Sequence, residues 1–154
     1  DNMDIYYDKY YNGKTKEQAY SKYFKTMLDC VKMYNFIDSM GHIDYIARYA
    51  KFDDKEIYYN DYSDLIDSIL KALIEKDKCI ELNTRRLGTK SAVDNIIPIY
   101  KRFRELGGKD ITVGSDAHNI DAVGMNFKSA IEIADICSLK IVYFKDRKKE
   151  YEKY

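Results

Sequence analysis

Four stretches of the chain place apolar residues at helical spacing, and each is predicted to form an amphipathic α-helix. They begin near positions 15, 63, 91 and 127, and the last reaches about 137. Thr15 and Gln18 form a capping box at the first helix, which is expected to end near Asn35. Ser63 and Ser91 are predicted to cap the second and third helices. Pro98 is acceptable in the third helix only if it falls in or near the first turns.

Short apolar runs between these helices predict four strands, at about 35–40, 78–82, 111–113 and 140–143. The alternation of helix and strand predicts an α/β fold with right-handed crossovers and a parallel sheet, either open or closed into a barrel. The lead-in 1–13 and the polar region 51–62 are predicted to be irregular. The charged tail 145–154 is expected to be solvated and frayed. No linker interrupts the pattern, so residues 1–154 are predicted to form a single domain.

Composition excludes several classes of protein. The chain has 154 residues and a formal net charge of zero, whereas a nucleic-acid binder normally carries a basic surplus. It contains neither a membrane span nor a secretion signal, so no membrane partner and a cytoplasmic location are expected. Its three cysteines, Cys30, Cys79 and Cys137, show no metal-binding spacing and are expected to be small buried hydrophobes in a reducing compartment.

Polar side chains follow three of the four predicted strands. Because the carboxyl ends of parallel strands converge on one face of a sheet, these residues are expected to lie together. Both histidines of the chain belong to this set, although His42 alone could equally be a hydrogen-bonded histidine at a strand end, and Glu81 could be an outward-facing strand residue. The set comprises His42, Asp44, Glu81, Asn83, Ser115, Asp116 and His118.

The spacing of these residues favours a metal site. Asp116 and His118 are two positions apart, so in an extended segment both side chains point the same way, and His42 and Asp44 share that relation. Imidazole and carboxylate ligands suit Zn²⁺, Mn²⁺ or Fe, which can activate water.

Half of the six arginines lie just beyond the same strands, where they could bind phosphate or simply lie on the surface. These three are Arg48, Arg85 and Arg86. Metal and arginines together indicate a phosphate-ester hydrolase, while no phosphate-cradling glycine loop and no nucleophile elbow is present.

Three segments resemble, in order, the later motifs of the polymerase-and-histidinol-phosphatase superfamily, in particular its histidinol-phosphate phosphatases. They are Gly41-His42-Ile43-Asp44-Tyr45-Ile46-Ala47-Arg48-Tyr49, Ile80-Glu81-Leu82-Asn83-Thr84 and Thr112-Val113-Gly114-Ser115-Asp116-Ala117-His118. The last is the most specific of the three, and the resemblance covers about residues 6–143.

The resemblance implies a distorted, TIM-like β/α barrel with a multinuclear metal centre, acting on a small phosphate ester in histidine biosynthesis. It implies that His42, Asp116 and His118 are metal ligands, with Asp116 and His118 also catalytic. Arg48 and Arg85 or Arg86 would contact phosphate, while Asp44, Glu81, Asn83 and Ser115 would shape the site. The residues after Asn83-Thr84 depart from the usual small-residue pattern, which leaves the choice of arginine open.

The chain lacks the His-x-His motif with which the family begins. Its 154 residues provide only four predicted strands, whereas a barrel of this kind needs about 200 residues or more. We therefore expect a C-terminal portion of the enzyme that lacks the N-terminal strands and is by itself nearly inactive. Three alternatives stay open: another phosphoesterase of the superfamily, a nuclease, or a non-catalytic homologue with a decayed site. The sequence also leaves open whether the protein is a homo-oligomer.

Overall fold

A computed structural model describes residues 4–151 and shows four parallel strands followed by one antiparallel strand. The strands are β1 (Ser39–Met40), β2 (Cys79–Asn83), β3 (Asp110–Gly114), β4 (Lys140–Lys145) and β5 (Lys148–Tyr151). The helices are α1 (Lys16–Met33), α2 (Tyr45–Tyr49), α3 (Ser63–Glu75), α4 (Lys90–Glu105) and α5 (Phe127–Ile136). Short 3₁₀ turns occupy Asp8–Tyr10, Tyr59–Asp61 and Ile120–Ala122.

The strands follow one another in the sheet in the order β1-β2-β3-β4-β5, and the sheet is open. When sequential parallel strands are joined by right-handed crossovers, the crossover helices all fall on the same face. In agreement, α1 contacts α3, α3 contacts α4, and α4 contacts α5, so the helices form one layer. The predicted α/β class and the parallel sheet are confirmed.

The core lies between this helix layer and the sheet. Its largest fully buried side chains include Tyr20, Phe24, Tyr100 and Phe103. The two tyrosines keep their hydroxyl groups satisfied, because Tyr20 donates to the Lys55 carbonyl at 2.6 Å and Tyr100 donates to the Glu81 carbonyl. No side-chain nitrogen or oxygen atom buried within residues 4–151 lacks a hydrogen-bond partner. The buried tyrosines of the core therefore leave no polar group without a hydrogen-bond partner among the described residues.

Helix starts were predicted with mixed success. The capping box of Thr15 and Gln18 is present. Ser63 and Ser91 are not caps: α3 begins at Ser63 without a side-chain cap, and Thr89 caps α4 by accepting from the Ala92 N–H. Several hydroxyl residues lie close together at these starts, and spacing alone does not select among them.

Pro98 is also misplaced by the sequence prediction, because it lies in the interior of α4 rather than in its first turns. Proline has no N–H, so the Asp94 carbonyl receives no helical hydrogen bond from it. The flanking residues Ile96, Ile99, Tyr100 and Phe103 are buried, and this packing holds the helix together across the proline.

The charged tail was predicted to be solvated and frayed, but residues 145–151 form a hairpin with β4. Asp146 and Arg147 both have positive φ, as a two-residue turn of the type preferred in hairpins requires. Lys149 reaches Asp110 at 3.0 Å, and Arg147 reaches Asp38 at 2.9 Å. Backbone pairing with β4 and these ion pairs hold the strand in place, and it has no apolar stripe, so the hydrophobic pattern gives no signal. Residues 152–154 lie outside the described part.

The segments predicted to be irregular contain only short turns. In the lead-in, Tyr10 and Tyr11 are buried and donate to the carbonyls of Ala19 and Ile5 at 2.9 Å and 2.8 Å. The lead-in therefore packs on the body of the protein, although Asp1, Asn2 and Met3 lie outside the described residues. None of the helices within residues 4–151 combines the length and apolar character that crossing a membrane requires.

Cysteine reactivity offers a first test of this packing. Cys79 and Cys137 are buried as predicted, whereas Cys30 is exposed on α1, contrary to the prediction. Burial raises the pKa of the Cys79 thiol to about 11 and also raises that of Cys137. Since the thiolate is the reactive form, we expect iodoacetamide to modify Cys30 alone in the folded protein. Intact-mass spectrometry would show one adduct under native conditions and three in denaturant; three native adducts would contradict this packing.

Candidate active site

The two faces of the sheet differ in polarity. Along β2, Ile80 and Leu82 are fully buried while Glu81 and Asn83 are only partly buried. On the neighbouring strands, the hydroxyl groups of Ser39 and Thr112 lie 2.7 Å apart. A parallel sheet covered by helices on both faces would be apolar on both. This sheet instead presents a polar face, and the predicted site residues lie at its carboxyl-terminal edge.

Asp116 is the centre of the site, just beyond the end of β3. Its Oδ2 accepts a hydrogen bond from Arg48 Nη1 at 2.8 Å, and its Oδ1 lies 3.3 Å from His118 Nε2. Arg85 Nη1 donates to the Asp116 backbone carbonyl at 3.2 Å. Asp116 has a φ of 49°, a conformation that non-glycine residues rarely adopt. Two arginines and one histidine from three different segments thus converge on a single aspartate.

This arrangement keeps Asp116 ionised. Partial burial opposes ionisation, but the hydrogen bonds from Arg48 and His118 and the positive charge of Arg48 outweigh it, so the pKa of Asp116 is lowered. His118 is largely exposed, with 68% of its side chain accessible. The site therefore opens to solvent on the side of His118.

His42 lies beyond the end of β1 in a left-handed conformation, with a φ of 66°. Its ring packs edge-on against Tyr45 at a centroid distance of 4.9 Å. Tyr45 and Tyr49 also flank the Arg48 guanidinium, at 5.9 Å and 5.0 Å from the ring centroids. The aromatic rings of α2 thus support both His42 and Arg48.

The predicted metal ligands are only partly brought together. Asp116 and His118 are in contact, and His42 lies near enough to Asp116 to contribute to the lowering of its pKa. Within residues 4–151, however, no three His, Cys, Asp or Glu side chains form a group that could hold a metal ion. The donor types suit zinc, but these residues do not bring together the three protein ligands that a catalytic zinc site uses.

The two adjacent arginines have different partners. Arg85 faces Asp116, whereas Arg86 bonds Asp44 at 3.2 Å and both oxygens of Glu56 at 2.9 Å and 2.8 Å. The three side chains of this second cluster are no more than 19% exposed. Burial raises the pKa of Asp44, and Arg86 offsets this only in part. Arg86 therefore belongs to a buried ion-pair cluster with Asp44 and Glu56, whereas Arg85 contacts Asp116.

The remaining predicted residues support the strand ends. Glu81 accepts a hydrogen bond from the His42 N–H at 3.2 Å. Asn83 Oδ1 accepts from the Arg85 N–H at 3.0 Å and so fixes the turn that directs Arg85 to the site. Ser115 is half-buried between β3 and Asp116.

Sequence reasoning missed Tyr45, Tyr49 and Glu56, and also Tyr23, whose hydroxyl donates to the His42 carbonyl at 2.5 Å. Two of the tyrosines follow His42 at close spacing, which was an available signal. Glu56 lies 30 positions from Arg86 in a polar region, so nothing in the pattern linked the two.

The fold and site together define an α/β protein with an aspartate–histidine–arginine site at the carboxyl ends of parallel strands. Residues 2–85 match the PHP domain, and the chain belongs to this family.

Among curated proteins, the chain is 48% identical over 149 residues to a "Probable histidinol-phosphatase" of Clostridium acetobutylicum. This match covers 97% of the chain and 58% of the relative. It is 36% identical over 110 residues to the "Histidinol-phosphatase" of Lactococcus lactis, covering 71% of the chain and 41% of that relative. The chain thus spans 58% of the length of the C. acetobutylicum relative and 41% of the length of the L. lactis relative.

A solved structure agrees with these relatives. The crystal structure of the L. lactis histidinol phosphate phosphatase, complexed with zinc, L-histidinol and phosphate, superposes with a TM-score of 0.85. The two sequences are 29% identical, and the match covers 96% of this chain and 57% of that one. The arrangement of helices and strands is therefore shared with part of a zinc-containing phosphatase.

Proposed function

We propose that the whole protein containing this chain hydrolyses L-histidinol phosphate to L-histidinol and phosphate, in the cytoplasm and as a step of histidine biosynthesis. The observation that carries the proposal is the convergence of Arg48, Arg85 and His118 on Asp116 at the open, polar edge of the sheet. The matched relatives are named histidinol-phosphatases, and the solved neighbour contains L-histidinol and phosphate.

In this proposal Arg48 and Arg85 bind the phosphoryl oxygens. Guanidinium groups match phosphate oxygens in both charge and planar geometry. Each of the two arginines uses its Nη1 on Asp116, so Asp116 orients both. Arg86, already bonded to two carboxylates, is assigned a structural role instead. Of the two adjacent arginines between which the sequence left the choice open, we therefore propose Arg85 as the phosphate contact.

His42, Asp116 and His118 are proposed as this chain's ligands to a divalent metal, with zinc as the first candidate because the neighbour contains it. When bound, such an ion would supply Lewis acidity toward the phosphate ester and its attacking water. Since the described residues do not complete a ligand group, the family's other His and Glu ligands are needed from parts of the whole protein that this chain does not supply. Manganese or iron, and a multinuclear centre, belong to the same proposal.

The sheet geometry is compatible with a β/α barrel. Sequential strand order with all crossover helices on one face is how a barrel wall is built, and the opposite, polar face would then line its interior. We propose that further parallel strands pair with the open edge of β1 in the whole protein.

A chimera tests the proposed activity. The part of the C. acetobutylicum relative outside the match would be joined to this chain, and phosphate release from L-histidinol phosphate would be measured with and without Zn²⁺. We expect metal-dependent turnover by the chimera, its loss in Asp116→Asn, and little turnover by the 154-residue chain alone.

Substrate controls separate the alternatives. Hydrolysis of DNA in preference to L-histidinol phosphate would favour a nuclease, and preference for another phosphomonoester would favour a different phosphoesterase of the family. A folded, zinc-loaded chimera without any turnover would refute the phosphatase proposal and favour a decayed site.

A further inference from the structure

The Glu81 carboxylate occupies a space that exists only because two of its neighbours are glycines. Glu81 lies on β2, which pairs with β1 on one side and β3 on the other. A Cβ atom on Gly41 would lie 2.8 Å from its Oε2, and one on Gly114 would lie 2.5 Å from its Oε1. Both distances are shorter than carbon and oxygen atoms tolerate. Any other residue at either position would displace the carboxylate.

The same carboxylate holds the backbone of His42. Its Oε2 accepts the His42 N–H at 3.2 Å, and on the other side of the residue the Tyr23 hydroxyl donates to the His42 carbonyl at 2.5 Å. Between these two bonds the residue adopts its left-handed conformation, with a φ of 66°. A non-glycine residue remains in that region only where its surroundings enforce it, and such strain concentrates at functional sites. Glu81 and Tyr23 thus hold the two sides of His42, and the Tyr45 N–H also donates to the His42 carbonyl, at 3.1 Å.

We propose that Glu81 is a positioning residue for His42: its carboxylate, housed between Gly41 and Gly114, fixes the left-handed backbone and thereby directs the His42 imidazole toward Asp116. One part of this proposal rests on the proposed function, namely that the orientation of His42 serves metal binding, since His42 is one of the proposed metal ligands. Glu81 acts through the His42 backbone and needs no contact with substrate. Groups that orient a metal ligand typically affect metal affinity by about 10- to 100-fold.

Amide hydrogen exchange of His42, followed by NMR on the 154-residue chain, tests the positioning directly and requires neither metal nor activity. We expect the His42 amide to exchange at least tenfold faster in Glu81→Ala. Glu81→Gln, which keeps an acceptor oxygen, is expected to restore protection to within about threefold of the unsubstituted chain. Unchanged exchange in Glu81→Ala, or equal loss in both variants, would overturn the proposal.

Gly114→Ala provides a second variant should Glu81→Ala fail to fold, because it displaces the carboxylate without removing it. It is expected to release the His42 amide as Glu81→Ala does. Gly88→Ala is the matched control, since its added Cβ would meet no atom closer than 3.5 Å. Exchange that stays slow in a folded Gly114→Ala protein would also contradict the proposal.

Zinc binding by the chimera then measures the consequence. Glu81→Ala is expected to weaken zinc affinity by about 10- to 100-fold, with Glu81→Gln close to the unsubstituted protein. If the chimera proves inactive but the exchange results hold, the proposed function fails and the positioning role stands. If zinc affinity is unchanged while His42 exchange rises, the orientation of His42 does not serve a metal and that part of the proposal falls.

Discussion

Replacing Arg85 by Met is expected to lower kcat/KM for L-histidinol phosphate by about 10²- to 10³-fold, the usual loss when one preorganised donor to a developing charge is removed. Arg85 is half-buried, and its side chain donates to the Asp116 carbonyl at 3.2 Å rather than to a buried carboxylate. Its removal therefore leaves no charge without a partner in the protein interior. The free energy of unfolding should change by no more than about 0.5 kcal/mol.

The measurement is steady-state phosphate release by the active chimera, together with urea unfolding of the same variant. Arg85→Lys is the matched control: it keeps the charge but loses the planar fork, so an intermediate loss is expected. An Arg85→Met protein with unchanged kcat/KM would remove Arg85 from the phosphate site and return the choice between the two arginines to Arg86.

Replacing the adjacent Arg86 by Met is expected to have the opposite profile, with a loss of about 3–5 kcal/mol in the free energy of unfolding. Arg86 is the cation between Asp44 and Glu56, and its side chain is 17% exposed. Without it, two carboxylates remain in a poorly solvated cluster. The cost is mainly that of leaving these charges uncompensated, not the net value of the ion pairs.

Urea unfolding of the 154-residue chain, followed by circular dichroism, measures this effect without any assay of activity. The variant Arg86→Met combined with Asp44→Asn and Glu56→Gln should recover much of the loss, because it removes the unpaired charges with little change in shape. A loss below about 1 kcal/mol in Arg86→Met would mean that water solvates the cluster and that its apparent burial is not energetically significant.

Arg85 and Arg86 show which features of the site can be predicted from the sequence and which cannot. Sequence reasoning selected Arg48, Arg85 and Arg86 as candidate phosphate contacts, because all three follow strand ends. Which of the adjacent pair faces the site depends on Glu56, 30 positions away in a polar region without periodicity. Sequence separation carries no information about such a contact.

In the fold, too, the features that depend on local sequence were predicted and those that depend on tertiary contacts were not. Periodicity identified four helices and the four parallel strands, since each buries an apolar stripe or run. It missed β5, in which three of the four side chains are charged, and which is held by backbone pairing with β4, by the Lys149–Asp110 ion pair and by the Arg147–Asp38 ion pair of the adjoining turn. It also placed the caps at Ser63 and Ser91, because local spacing does not determine where tertiary packing lets a helix begin.

The sequence by itself determined the alternation of helix and strand, the polar residues that end the strands, and the motifs that mark the PHP family. These features are local: apolar periodicity, capping chemistry and short motifs can all be recognised within a few residues. The tertiary structure decided which of the adjacent arginines contacts Asp116, how the pKa of Asp116 is lowered, and how closely Gly41 and Gly114 approach the Glu81 carboxylate. Those outcomes depend on atoms distant in the chain and within a few ångströms in space, where burial and charge act together. The shortage of histidines is itself a fact of sequence, while the incomplete ligand group among residues 4–151 became visible only in three dimensions.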